Sequence, residues 1–166
     1  MKKHLLLVAI VFTFVSCSVK YNFTGTGKID AKSFQVNRFM NKAALIEPGV
    51  DREFTLKLQD VIQSQTNLSL TNSGGDLVYE GEITDYYVSP MTATANQQSA
   101  QSRLTIKVNV RFTNHKKEAD NFEKSFSFYH DYDAATQLTG TELTKALDVI
   151  FTRITQDIFN ESLAKW

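Results

Sequence analysis

Between residues 103 and 112 polar and apolar positions alternate without a break: Leu104, Ile106, Val108, Val110 and Phe112 share one parity, Arg103, Thr105, Lys107, Asn109 and Arg111 the other. A period of two sends these sets to opposite faces of a strand, one dry and one wet. Two flanking stretches read the same way. In the first, Leu77, Tyr79, Ile83 and Tyr87 share the inward parity, and Glu80, Glu82, Thr84 and Tyr86 the outward one. In the second, Phe122, Phe126 and Phe128 point inward, and Glu123, Ser125, Ser127 and Tyr129 outward. Shorter signals are Phe34, Val36 and Arg38, alternating with polar positions, and the stretch 67–71, which leads into the turn Asn72-Ser73-Gly74-Gly75-Asp76.

In two places the period changes to that of a helix. After Pro48 and Gly49, the spacing of Val50, Phe54, Leu58, Val61 and Ile62 predicts an amphipathic helix of about fifteen residues. Thr139 followed by Glu142 fits a capping box, and Leu143, Leu147, Ile150, Ile154 and Ile158 carry an apolar stripe almost to the last residue. The order β-α-β-β-β-β-α predicts an α+β fold. Its expected form is a two-layer sandwich, with two helices packed on one face of a mainly antiparallel four- to five-stranded sheet. One domain is expected over residues 33–166.

The N-terminus follows neither pattern. Lys2, Lys3 and His4 precede eleven uncharged residues, Leu5 to Val15, and the small residue Ser16 stands before Cys17. A basic flank, a short apolar run and a small residue at its end describe a secretory signal over residues 1–16; a bilayer span needs about 20 apolar residues. Phe14-Val15-Ser16-Cys17 resembles a bacterial lipobox, in which cleavage precedes the cysteine and its thiol receives diacylglycerol. Two ester-linked acyl chains, commonly joined by a third such as palmitate on the freed amine, make a firm anchor. Cys17 is the chain's only cysteine, so it has no internal disulfide partner. Residues 17–32, with Gly25 and Gly27 among Ser, Thr, Asn and Lys, suit a tether. No Asp follows Cys17 and no acidic cluster follows it, which by analogy points to the outer membrane, facing the periplasm.

Composition narrows the range of functions. The 166 residues carry 18 Lys and Arg against 18 Asp and Glu, with 42% hydrophobic and 22% charged residues, values that exclude a disordered tail, a collagen-like repeat and a many-pass membrane protein. Balanced charge argues against nucleic acid as the partner, because a backbone binder needs a concentrated cationic excess. Removing residues 1–16 takes Lys2 and Lys3 away and leaves 16 basic against 18 acidic side chains.

Candidate chemistry is sparse. Past the signal only His115 and His130 remain, and His130-Asp131 invites a triad reading that no nucleophile-elbow glycines accompany. Glu80 and Glu82 sit on one strand face roughly 7 Å apart, where a carboxylate pair and a simple balance for neighbouring cations are both open readings. Gly25-Thr26-Gly27 has no helix behind it to make a phosphate loop. No cofactor or metal is implied, and no enzyme is expected. The basic row Arg103, Lys107 and Arg111 on the wet face of the cleanest strand is the more informative feature, since guanidinium forks bind phosphate through paired charge-assisted hydrogen bonds. The alternative is a solvated face neutralised by Glu80, Glu82 and Glu123. The polar segment 89–102 reads as a loop or tip, and Tyr86, Tyr87, Tyr129 and Tyr132 as strand-end tyrosines suited to an interface or to capping the core.

The blocks 75–86 (Gly-Asp-Leu-Val-Tyr-Glu-Gly-Glu-Ile-Thr-Asp-Tyr), 103–108 (Arg-Leu-Thr-Ile-Lys-Val) and 122–126 (Phe-Glu-Lys-Ser-Phe), together with the lipidated start and the ending at Trp166, resemble the lipopolysaccharide-assembly lipoproteins of the LptE type found in Bacteroidetes. The resemblance implies an accessory or plug subunit of the lipopolysaccharide translocon. Such a subunit sits within the LptD-type outer-membrane β-barrel, supports its assembly and helps insert lipopolysaccharide into the outer leaflet by binding alone. It makes the barrel the expected partner, lipopolysaccharide a possible direct ligand of Arg103, Lys107 and Arg111, and Cys17 the lipid attachment site. The competing expectation is a periplasm-facing lipoprotein that binds another ligand or supports a different envelope complex.

Overall fold

The computed structural model describes residues 29–45, 47–91 and 100–164. The signal segment, Cys17, Gly25-Thr26-Gly27, Trp166 and the middle of the 89–102 connection lie outside them. Among the described residues the elements are β1 (Ser33–Val36), β2 (Met40–Asn41), α1 (Val50–Gln65), β3 (Ser69–Leu70), β4 (Leu77–Met91), β5 (Gln101–Asn114), β6 (Phe122–Asp133) and α2 (Gly140–Leu163), with a 3-10 turn at Glu118–Asp120. Ile29 and Ala31, assigned to the tether by sequence, pack against the core.

The α+β class and both helices stand as expected, with a sheet more mixed than the alternation suggested. Strand order is β3-β1-β4-β5-β6, with β2 also paired to β4. Strands β4, β5 and β6 form an antiparallel meander. Strands β1 and β2 run parallel to β4, and β3 runs parallel to β1. The parallel flank follows from α1, a crossover that brings the chain back in its original direction, which a hairpin does not do.

One irregularity inverts part of β4. Ile83 faces Val108, but the next partnered residue, Asp85, faces Lys107, so Thr84 is an extra residue on the β4 side. Such a bulge reverses the parity of everything after it. Tyr86, expected on the wet face, is therefore buried at 5% exposure, and Tyr87, expected inward, is 49% exposed.

Strand β1 stops at Val36, so Arg38 does not extend its alternation; Arg38 turns outward to Asp51 at 2.5 Å. The next residue, Phe39, drops fully into the core. Its ring stands 4.9 Å from that of Phe54 on α1, edge to face, and Phe54 stands 5.3 Å from Phe151 on α2 in the same manner. Its amide donates to Thr55 Oγ1 at 3.1 Å. Space for Phe39 comes from Gly81 in mid-β4, where a Cβ would lie 2.9 Å from the Phe39 ring and 2.0 Å from the carbonyl oxygen of Asn109. A second tie joins sheet to helix: the fully buried Tyr79 hydroxyl donates to Ser162 Oγ at 2.9 Å, and burial holds that phenol far above its ordinary pKa.

Helix α2 begins where the sequence places it, but without the expected capping box. Thr139 makes no side-chain capping bond. Gly140 takes a left-handed φ of 56°, which separates Thr139 from the first helical amides, and Glu142 faces His130 instead.

Gly81→Ala is expected to lower stability by about 1–3 kcal/mol or more, because backbone has to move, and Phe54→Ala by about 3–5 kcal/mol. Urea unfolding midpoints of the two variants check both values.

Candidate functional site

With both helices on one side, no element among the described residues covers the opposite face of the sheet, which is mostly polar, with Met40, Tyr87 and Tyr129 exposed on it. The register sets its residues in rows. Glu80, Arg111 and Glu123 stand side by side; next come Glu82, Asn109 and Ser125, then Asp85, Lys107 and Ser127. Tyr87, Thr105 and Tyr129 form a fourth row, and Ser89, Arg103 and Asp131 a fifth. The three cations singled out by sequence therefore lie on one strand of one open face, Arg111 between two acids and Arg103 and Lys107 each between an acid and a serine.

Each cation has a partner, to a different degree. Arg103 donates from Nε and Nη2 to the two carboxylate oxygens of Asp131, at 2.6 and 2.8 Å, and its guanidinium lies 3.5 Å from the centroid of the Tyr129 ring. The Arg103 bonds outweigh the opposing effect of burial and hold the Asp131 carboxyl below its ordinary pKa. Arg111 spans two acids, with Nε to Glu80 at 3.2 Å and Nη1 to Glu82 at 3.3 Å. At Glu82, burial pushes the carboxyl up, but hydrogen bonds from Asn109 and Arg111 prevail and lower its pKa. Lys107 is the loosest: Nζ lies 3.5 Å from Asp85, and the side chain is 46% exposed. An incoming phosphate would have to displace a forked carboxylate from Arg103, but at Lys107 only a long single contact.

Of the acids named by sequence as balancing charges, Glu80 and Glu82 share Arg111, whereas Glu123 accepts from Asn109 Nδ2 at 2.9 Å. Asp131 and Asp85 escaped the reading of the row. Inward parity hid Asp85, and the only clue was the consecutive polar pair Thr84-Asp85, which interrupts the alternation at the bulge.

His130 and Asp131 do not form a dyad. They point to opposite faces of β6: Asp131 meets Arg103 on the open side, while His130 Nε2 lies 3.9 Å from Glu142 of α2. Among the described residues no group of three His, Cys, Asp or Glu side chains could hold a metal ion. The segment 89–102 is less of a loop than expected. Strand β4 runs to Met91 and β5 starts at Gln101, with Pro90 opposite Ser102 where β4 has no second neighbour among the described residues, so a residue without an N–H is tolerated. Of the tyrosines, Tyr129 and Tyr87 flank Thr105 on the open face, while Tyr86 and Tyr132 are core residues; burial pushes the Tyr86 phenol up to about 12, with Glu47 and Tyr132 adding to the shift. A cleft of about 330 Å³ lies at the other end of the hairpin, among Ile29, Leu77, Asn114, Lys117 and Leu163. Lys117 is bound there to Asp120 at 2.8 Å.

Comparison with known proteins adds a relationship to this geometry. A family model described as LptE, lipopolysaccharide-assembly, matches residues 31–162. No curated protein matches the chain significantly. Among solved structures, the chain is similar to a minor lipoprotein from Acinetobacter baumannii at 9% identity and a TM-score of 0.50, covering 79% of this chain and 91% of that one. It is also similar to the hypothetical protein CT253 from Chlamydia trachomatis, at 12% identity and a TM-score of 0.51 over 81% of this chain and 100% of that one. The protein XCC0632 from Xanthomonas campestris gives 10% identity and a TM-score of 0.51 over 83% and 89%. At these identities the likeness concerns the fold alone.

The lowered pKa of Asp131 fixes the direction of a pH effect. Its pair with Arg103 contributes stability fully above the ordinary aspartate value of 3.8, and the contribution is lost as pH falls through the lower value of the folded state. Asp131→Asn should therefore melt below the wild type at about pH 6, with the difference closing as the pH falls below 3.8, as thermal unfolding followed by circular dichroism will measure.

Proposed function

The chain belongs to the LptE family of lipopolysaccharide-assembly lipoproteins, and from that premise we propose that it is the accessory, plug-like subunit of an outer-membrane lipopolysaccharide translocon, held by acyl chains on Cys17 and facing the periplasm. In this reading it seats in an LptD-type β-barrel, supports assembly of that barrel and aids insertion of lipopolysaccharide into the outer leaflet. It acts by binding and performs no covalent chemistry.

One observation carries the reading: among the described residues the sheet presents a mostly polar face of paired opposite charges, hydroxyls and amides. The lumen of an outer-membrane barrel is polar and water-filled. A face of that kind suits such a wall, because it forms polar contacts there without stripping water from an apolar surface. Anchoring supports the same reading, since confinement to the membrane plane raises the effective concentration of the domain near an integral barrel.

Within that function the basic row divides its labour. Arg103 and Arg111, locked by carboxylates, stiffen the face, and Lys107 is the residue available to a lipid A phosphate.

Three results are expected. Pull-down of the lipoprotein brings a large β-barrel with it, and depletion lowers both assembled barrel and surface lipopolysaccharide. Cys17→Ala abolishes incorporation of labelled palmitate. Lys107→Glu weakens binding of purified lipopolysaccharide several-fold with an unchanged melting temperature. Recovery of a barrel-free protein, with normal surface glycolipid after depletion, would favour a lipoprotein that serves a different envelope complex.

A further inference from the structure

The two edges of the sheet are built differently. At one, β3 contributes two residues; at the other, β6 contributes twelve. Strand β6 pairs only with β5 among the described residues, in a register that runs without a shift from Phe122 to Asp133. In an antiparallel pair alternate residues turn their N–H and C=O toward the neighbour, so the other half of these groups on β6 point outward along an edge of about 40 Å. Proteins usually blunt such an edge with a proline, a bulge or a short strand. β3 is blunted by its length, whereas β6 has no proline and no bulge.

Beside that edge runs a shallow groove of about 510 Å³ between β6 and α2, lined by Phe128, Val149, Thr152, Arg153 and Gln156 among others. Val149 is 39% exposed there. A strand laid against β6 would send alternate side chains into this groove and the rest onto the open face. Main-chain bonds along an edge combined with a pocket for alternate side chains are the elements of recognition by strand addition.

Charge identifies the kind of strand. Together β6 and α2 carry seven acidic side chains against three basic ones. At the two ends of β6, Glu123 and Asp133 are exposed, and neither has a cation within ion-pair distance among the described residues. The same residues oppose a second copy of this chain. Antiparallel pairing of β6 with itself, in the registers of fullest overlap on matched faces, sets Glu123 against Asp131 or Asp133, and like charges directly opposite each other destabilise a pair.

We propose that the outer edge of β6 docks an extended, cationic segment of a partner protein, added as a further strand, with an apolar side chain between Phe128 and Val149 and Lys or Arg facing Glu123 or Asp133. The proposal goes beyond the translocon reading and does not depend on it, because its test needs no barrel. The probe is a blocked peptide, Lys-Val-Thr-Val-Thr-Val-Thr-Val-Thr-Val-Lys, a palindrome that presents the same side chains in either strand direction. The full chain, in detergent micelles, is followed by hydrogen exchange and by titration. One alternate set of β6 amides should exchange rapidly without the peptide and slow with it. Glu123→Lys should weaken binding at least tenfold, and Glu123→Lys combined with Asp133→Lys should transfer preference to the peptide with Glu in place of both Lys residues. Val149→Gln, a change at an exposed helix position, should weaken both peptides alike, and melting temperatures verify that all the variants fold. The proposal is overturned by equal binding to wild type and variants, by no slowing of β6 amides, by outward amides already protected in a peptide-free monomer, or by a dimer that the peptide dissociates.

Discussion

The architecture depends on one close approach, Phe39 against Gly81. A glycine in the middle of a strand gives up side-chain packing and adds conformational entropy to the unfolded chain. Here its missing Cβ lets a phenyl ring from the break between β1 and β2 lie directly on the sheet. From that ring an edge-to-face column runs through Phe54 to Phe151 and so touches the sheet and both helices. Aromatic pairs of this geometry add about 0.5–1.5 kcal/mol beyond their burial. The column also positions the rest: α1 is held over the parallel flank, α2 over the meander, and Tyr79 meets Ser162 where the second helix crosses the sheet.

Placing both helices on one side has a consequence for the other. Among the described residues no apolar layer covers the open face, and cross-strand pairs are what order it. Arg103 with Asp131 and Tyr129, and Arg111 with Glu80 and Glu82, span β4, β5 and β6 in register. Exposed ion pairs contribute little each, but a network on a sheet restrains side chains that would otherwise sample many rotamers. What results is a stiff surface of mixed charge with an acidic excess, a sound physical basis for a protein whose family works in lipopolysaccharide assembly.

Much of this was legible in the residues. The alternation from Leu104 to Phe112 specified both faces of β5, and the stripes on α1 and α2 specified which sides of the helices are dry, because a period of 2 or of 3.6 is a local property. The site was legible by half: Arg103, Lys107 and Arg111 were visible as a row, but Asp85 and Asp131, two of the acids that hold them, were not. The bulge at Thr84 moved Asp85 to the wet face and exchanged the environments of Tyr86 and Tyr87. A bulge depends on how two strands settle against each other, and its trace in one strand is a single pair of adjacent polar residues. Thr139 and Glu142 satisfied a local rule for a capping box, yet the backbone chose Gly140 for the turn and gave Glu142 to a histidine on another element.

By itself, then, the sequence determined which segments of the α+β fold are strands and helices and which of their faces exclude water. Tertiary structure alone decided the order of the strands, the parallel flank, the glycine that admits Phe39 and the partner of every charge on the open face. The division has a physical cause. Burial preference acts residue by residue and leaves a periodic record along the chain, whereas register, crossover and ion pairing are relations between segments tens of residues apart, set only when those segments compete for the same space.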